Sequence, residues 1–221
     1  LIENFHNVEL CLQKMKFYSK NINKKTFEEA KYNLQDAASI PIPTKRISVY
    51  GLSCNSMSFT LGEDIIDKQF KEVSSNVKCT DIARSHLEAL QILKIKKVSL
   101  LVPYIKEVTE DNIRYLEKND IEVVNWMNMN LESDEQTSYV SKDTIKEWAI
   151  NLNKSGNKSD ALIIGCSAFR TCEPGFIDFL EKILKKPVIT STQALLWNML
   201  RLAGINDKIT GYGKLFTLLK N

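Results

Sequence analysis

Two cysteines stand in matched contexts. Residues 47–54 read ISVYGLSC and residues 161–166 read ALIIGC, so an apolar run stops at a glycine and a thiol follows within three positions. Small polar residues come next, NSMS after Cys54 and SAFRT after Cys166. A thiol at a strand-to-helix turn lies near free backbone N–H groups and the positive end of a helix dipole, which favour the thiolate. The same N–H groups can hold a substrate carboxylate. Ser56, Ser58, Ser167 and Thr171 would add hydroxyl donors without blocking the approach. Two such thiols facing each other can take a proton from one face of a carbon acid and return it on the other. Alternatively, one attacks as a nucleophile while the other delivers a proton. Neither scheme requires a metal or an organic cofactor. The competing reading is that a free cysteine packs as a small hydrophobe. That reading is kept for Cys11, Cys79 and Cys172, which lack the matched context.

Such a pair needs strands to carry it. Residues 46–51, 97–102 and 161–165 are short, aliphatic on both faces and end at Gly or Pro, the pattern of buried parallel strands. Residues 121–125 and 187–190 read as two more. Between them, helical periodicity marks 26–39, 81–93, 107–119, 141–152, 175–184 and 194–203. Asp81 and Ser141 are placed as helix starts and Gly204 as a helix end. Strands alternating with helices of this length predict an α/β protein with parallel sheets. The two cysteine motifs lie 112 residues apart, about the size of one small α/β domain, and form a weak internal repeat. Two similar domains would place the cysteines across a shared cleft, at the strand ends where open α/β sheets bind ligands.

Composition sets the remaining bounds. The 221 residues suffice for one large domain or two of about 100 residues. Thirty basic and 27 acidic side chains, net +3, are spread along the chain without a long basic block. No nucleic-acid or membrane partner is therefore expected. The short lysine pairs at 24–25, 96–97 and 185–186 read as solvated surface. Five cysteines without metal-type spacing argue against a disulfide framework or a metal site and fit the reducing cytoplasm. Trp126, Trp148 and Trp197 read as core or domain-contact aromatics, and His6 and His86 as structural.

The run from Ala161 to Ile205, followed by GYGKLF, resembles the aspartate/glutamate racemase superfamily. The branch it is similar to holds maleate cis–trans isomerases, arylmalonate decarboxylases and racemase-like ectoine-utilisation proteins. The resemblance rests on Cys166, the PVITS run at 187–191, Gln193, Ala194, Trp197, Leu200, Arg201 and Gly204. In YGLSCNSMSFTLG, Cys54, Ser56, Ser58 and Phe59 fall in register with the first cysteine motif. VSLLVPYIKEV resembles a strand ending in T-P-Y, which implies that Tyr104 hydrogen-bonds a substrate carboxylate. The resemblance implies two pseudo-symmetric parallel-sheet α/β domains with the active site in the cleft between them. It would assign residues 1–78 plus 195–221 to one domain and 79–194 to the other. Departures are Asn55 where threonine is usual and Thr192 where asparagine is usual. A second-domain asparagine of some isomerases has Asn128 and Asn130 nearby. Nothing before Phe5 resembles the family's opening strand, so an N-terminal segment carrying one substrate contact is expected to precede Leu1.

The resemblance thus implies a cofactor-independent racemase or isomerase of a small carboxylic acid, a dicarboxylate such as maleate or an amino-acid derivative. Catalysis is assigned to Cys54 and Cys166, and substrate binding to Asn55, Ser56, Tyr104, Ser167 and Ala168. No cofactor is expected; a homo-oligomer is left open. Tyr104 has an alternative as a core aromatic and Ser56 as a helix cap. Two further functions stay open: an arylmalonate-type decarboxylase, and a non-catalytic carboxylate-binding protein of the same fold. Decarboxylases of this branch need one cysteine and typically carry glycine for the first, so Cys54 argues against that reading.

Overall fold

A computed structural model describes residues 8–19, 24–40, 47–155 and 158–219. His6 and the start of the strand expected from residue 46 lie outside them. Two short helices, α1 (Lys24–Ala30) and α2 (Asn33–Ser39), replace the single helix expected over 26–39, with a turn at Lys31 and Tyr32 between them. The strand β1 (Val49–Leu52) leads into α3 (Asn55–Leu61) and α4 (Glu63–Val73). Then come β2 (Lys78–Asp81), α5 (Ile82–Leu93), β3 (Lys97–Tyr104), α6 (Lys106–Lys118) and β4 (Glu122–Leu131). The chain continues through α7 (Asp134–Ser138), α8 (Lys142–Lys154), β5 (Ala161–Ile164), α9 (Phe176–Leu184), β6 (Val188–Thr190) and α10 (Ser191–Leu202).

The strands form two parallel sheets, β1–β2 and β4–β3–β5–β6, so the chain is an α/β protein with two sheets as expected. In the larger sheet β3 is central, and seven of its eight residues are buried. Its Pro103 offers no N–H, but it lies past the last pairing with β5 and in a register irregularity against β4. Each sheet has its own apolar core. Phe27, Leu34, Tyr50, Leu52, Met57, Ile66 and Phe70 pack around β1 and β2. Leu100, Leu101, Val102, Ile163, Ile164, Ile189 and Trp197 pack around the larger sheet.

Helix α10 ties the two together. Its Leu195, Trp197 and Leu200 belong to the larger core. Met199 meanwhile presses its sulfur onto Gly51 of β1, where an added Cβ would sit 2.5 Å away. Asn198 Nδ2 donates to Thr80 Oγ1 of β2 at 2.8 Å, and Lys78 Nζ donates to the Leu202 carbonyl at 2.7 Å. The expected caps are present: Asp81 accepts from Arg84 N–H, Ser141 accepts from Thr144 N–H, and Gly204 takes φ +82 beyond α10. Trp197 is fully buried, whereas Trp126 on β4 is partly exposed. Among the described residues no helix is long and apolar enough to cross a membrane.

Candidate active site

All the parallel strands run the same way within each sheet, so their carboxyl ends share an edge, and the chemistry collects there. Cys54 lies two residues past β1 and is the N-cap of α3, with extended backbone. Cys166 lies two residues past β5, and Tyr104 is the last residue of β3. On the neighbouring β4, Leu131 pairs with Tyr104, and Asn128 Nδ2 donates to the Tyr104 carbonyl at 3.0 Å.

A buried polar chain joins the two cysteine loops. The Cys166 N–H donates to Ser191 Oγ at 3.0 Å, and that hydroxyl donates to Asn55 Oδ1 at 2.9 Å. Asn55 Nδ2 donates to Asn112 Oδ1 at 2.9 Å, and Asn112 Nδ2 to the Val108 carbonyl at 2.7 Å. All three side chains are buried, so every bond in the chain fixes a position rather than a surface contact. A second bridge runs from Ser167 Oγ to the Ser53 carbonyl at 3.0 Å. The residue before Cys166 must be small: a Cβ on Gly165 would lie 3.0 Å from Val102 and 3.4 Å from both amide atoms of Asn55.

Each sulfur faces one amide and one hydroxyl. Around Cys54 these are the Met57 N–H and Ser56 Oγ, the latter 3.8 Å from Sγ. Around Cys166 they are the Ala168 N–H, 3.4 Å from Sγ, and the Tyr104 hydroxyl, whose influence lowers the Cys166 thiol. These donors favour the thiolate, but burial outweighs them. Desolvation raises the Cys54 thiol and pushes Cys166 up to about 12. Tyr104 is also raised, first by burial and then by the neighbouring thiols. The thiolate expected from a helix N-terminus is therefore not the resting state of Cys166. The chain after it makes a turn instead of a helix, and α9 begins only at Phe176.

The seven residues singled out in the sequence gather at this edge in different roles. Cys54, Cys166, Ser56, Tyr104 and Ala168 surround the two sulfurs. Asn55 turns its side chain into the buried chain, leaving its backbone amide in the first turn of α3, and Ser167 holds the Ser53 loop. Two participants, Asn112 and Asp134, are unmarked in the sequence. Asn112 completes the buried chain with Ser191 of the PVITS run. Asp134, first residue of α7, adds a negative charge that raises Cys54, Cys166 and Tyr104 alike. Among the described residues no cluster of His, Cys, Asp and Glu could hold a metal ion. The outlying cysteines stay apart: Cys79 is buried in β2, Cys11 is exposed, and Cys172 is half-buried.

The family description that matches the sequence is arylmalonate decarboxylase, over residues 9–216. The arylmalonate decarboxylase of Bordetella bronchiseptica is 26% identical over 144 residues, 65% of this chain; the chain spans 59% of that relative's length. A maleate isomerase of Alcaligenes faecalis is 21% identical over 192 residues, 84% of this chain and 75% of the relative. Among solved structures, a maleate cis–trans isomerase mutant of Nocardia farcinica with a covalently bound succinylcysteine intermediate superposes with a TM-score of 0.82. It is 16% identical, covering 98% of this chain and 90% of its own. That likeness establishes the same two-domain fold.

Proposed function

Because the chain belongs to the arylmalonate decarboxylase family, we propose that it is a cofactor-independent racemase or isomerase of a small carboxylic acid, working through Cys54 and Cys166. The observation that carries this reading is the matched surroundings of the two thiols. Each sits past a parallel strand, each faces one amide and one hydroxyl, and a buried hydrogen-bond chain locks their loops together. A decarboxylase needs one such thiol; a reaction at both faces of a carbon needs two.

In the racemase form the substrate carboxylate rests on the amides at the start of α3 and on the Ser56 hydroxyl. One cysteine, as thiolate, removes the proton on the carbon next to that carboxylate. The electron pair moves into the carboxylate as an enediolate, and the opposite thiol returns a proton to the other face. The two sulfurs finish with exchanged protonation states, so the reverse reaction starts from the other side. In the cis–trans form Cys54 adds to a double bond, the C–C bond rotates, and the thiolate leaves while Cys166 handles the proton. The succinylcysteine of the Nocardia farcinica relative supports keeping that second form.

Solvent deuterium incorporation into a panel of chiral and unsaturated carboxylic acids tests the proposal. Exchange next to the carboxylate of a chiral acid marks racemisation; interconversion of a cis and a trans diacid marks isomerisation. Cys54→Ser and Cys166→Ser should each lower turnover by about 10²-fold or more. Either variant keeping near-normal rates would sink the two-thiol mechanism. Release of carbon dioxide from an arylmalonate, with a solvent deuteron taking the place of the lost carboxylate, would point to the decarboxylase.

A further inference from the structure

The buried chain between the cysteine loops has a direction, and its anchor lies outside both of them. The chain draws on the crossovers that leave the site's strand edge: Asn55 opens α3 after β1, Asn112 lies in α6 after β3, and Ser191 opens α10 after β6. Every donor points the same way. The Cys166 amide donates to the Ser191 hydroxyl, the hydroxyl to Asn55, the Asn55 amide to Asn112, and Asn112 Nδ2 ends the run on the Val108 carbonyl. That carbonyl belongs to the backbone of α6 and cannot turn, so it fixes Asn112 with Oδ1 toward Asn55. Asn112 in turn makes Asn55 present Oδ1 to Ser191. Reversing either amide would set two carbonyl oxygens face to face. Asn55 and Asn112 are each 1% exposed and Ser191 0%, so bulk water does not replace a lost partner.

The placement of Cys166 depends on that direction. The preceding amide, of Gly165, still donates to the Leu101 carbonyl of β3 at 2.9 Å. The following ones, of Ala168 and Phe169, donate back to Cys166 itself, to Sγ and to the carbonyl, so they shape the turn without locating it. Between them the bond from the Cys166 amide to Ser191 ties the turn to another element, and the hydroxyl that accepts it is aimed by Asn55. We infer that Asn112 is a positioning residue for Cys166: through Asn55 and Ser191 it sets where the Cys166 backbone, and with it the sulfur, stands. Its part in turnover rests on the proposed function, whereas its hold on the Cys166 amide does not.

Amide hydrogen exchange, followed by NMR on the full chain, tests the inference with the Gly165 amide as a reference one residue away. Asn112→Leu keeps the size of the side chain and removes both its donor and its acceptor. The Cys166 amide should then lose at least about tenfold in protection relative to Gly165. With the acid that the wild type exchanges fastest in the panel above, kcat should fall about tenfold and KM stay within about twofold. Asn112→Ala carries the same predictions should the leucine variant not fold. Asn112→Asp at about pH 5 should restore the protection, because burial keeps its carboxyl neutral. One oxygen then accepts from Asn55 and the O–H donates to the Val108 carbonyl. Unchanged protection in Asn112→Leu overturns the inference. So do equal losses at Gly165 and Cys166, which plain destabilisation produces, or Asn112→Asp behaving like Asn112→Leu. A loosened Cys166 amide with unchanged kcat overturns the role in turnover and leaves the two-thiol mechanism standing. Exchange of no acid by the wild type overturns the proposed function, and the role in turnover with it.

Discussion

Removing the Tyr104 hydroxyl isolates what it does for Cys166. In the folded protein Cys166 is buried, its thiol is pushed up to about 12, and the Tyr104 O–H is the larger of the two opposing influences, ahead of the Ala168 amide. Tyr104→Phe keeps the ring in the core and deletes one donor. A hydrogen bond to a charged acceptor contributes about 1.5 kcal/mol, roughly one pKa unit. The thiolate fraction at a fixed pH below the pKa then falls about tenfold. The more basic thiolate is also the better nucleophile, and a Brønsted slope of about 0.5 returns roughly threefold. Iodoacetamide labelling of Cys166 should therefore slow about threefold, with Cys54 in the same sample as the internal reference. In the wild type the Cys166 rate should climb about tenfold per pH unit from roughly pH 7 to pH 10 without levelling, because the thiol stays below its pKa throughout. A plateau below about pH 9 would show that the thiolate is already formed. Equal or faster labelling in Tyr104→Phe would show that the hydroxyl does not hold the sulfur.

Gly165→Ala should destabilise the fold by about 1–3 kcal/mol, because its Cβ would crowd Val102 and the Asn55 amide, and it should slow turnover by displacing the chain to Ser191. Denaturant unfolding and the exchange assay read the two effects separately; full stability with full activity would discount the close packing there. His86 is fully buried, neither ring nitrogen has a hydrogen-bond partner, and desolvation lowers its pKa to about 3. Its neutral form is stable above the unfolded value near 6.5, and below that pH only the unfolded chain takes up the proton. This site's contribution to stability is thus lost as pH falls from about 6.5 toward 3, by about 1.4 kcal/mol per unit. His86→Leu should flatten that part of the stability profile; an unchanged acid slope would assign it to other groups.

The sequence announces Cys54 and Cys166 because a strand buried on both faces is a run of aliphatic residues, and whatever follows it lands at the sheet edge. Tyr104 is legible for the same reason. Elements with weaker signatures pass unread. In β2, two of the three buried residues, Thr80 and Asp81, are polar, so no apolar run marks it. The α7 turn is five residues of DEQTS, polar throughout, so no apolar periodicity marks it. Asn112 carries no local signal, since its role comes from a partner 57 residues away; Ser191 belongs to the PVITS run, but its partner Asn55, 136 residues away, is not visible there. The sequence points to thiolates because position beside a helix is visible in it, whereas burial is set by the packing of distant strands.

Burial of the thiols bears on how the site would be switched on. A thiol near 12 is a strong base once ionised, which suits removal of a weakly acidic proton next to a carboxylate. Around pH 8, however, only a small fraction of molecules would hold that thiolate. The Asp134 charge further opposes ionisation of both cysteines, so the empty site stays protonated and its thiols stay poorly reactive toward small electrophiles.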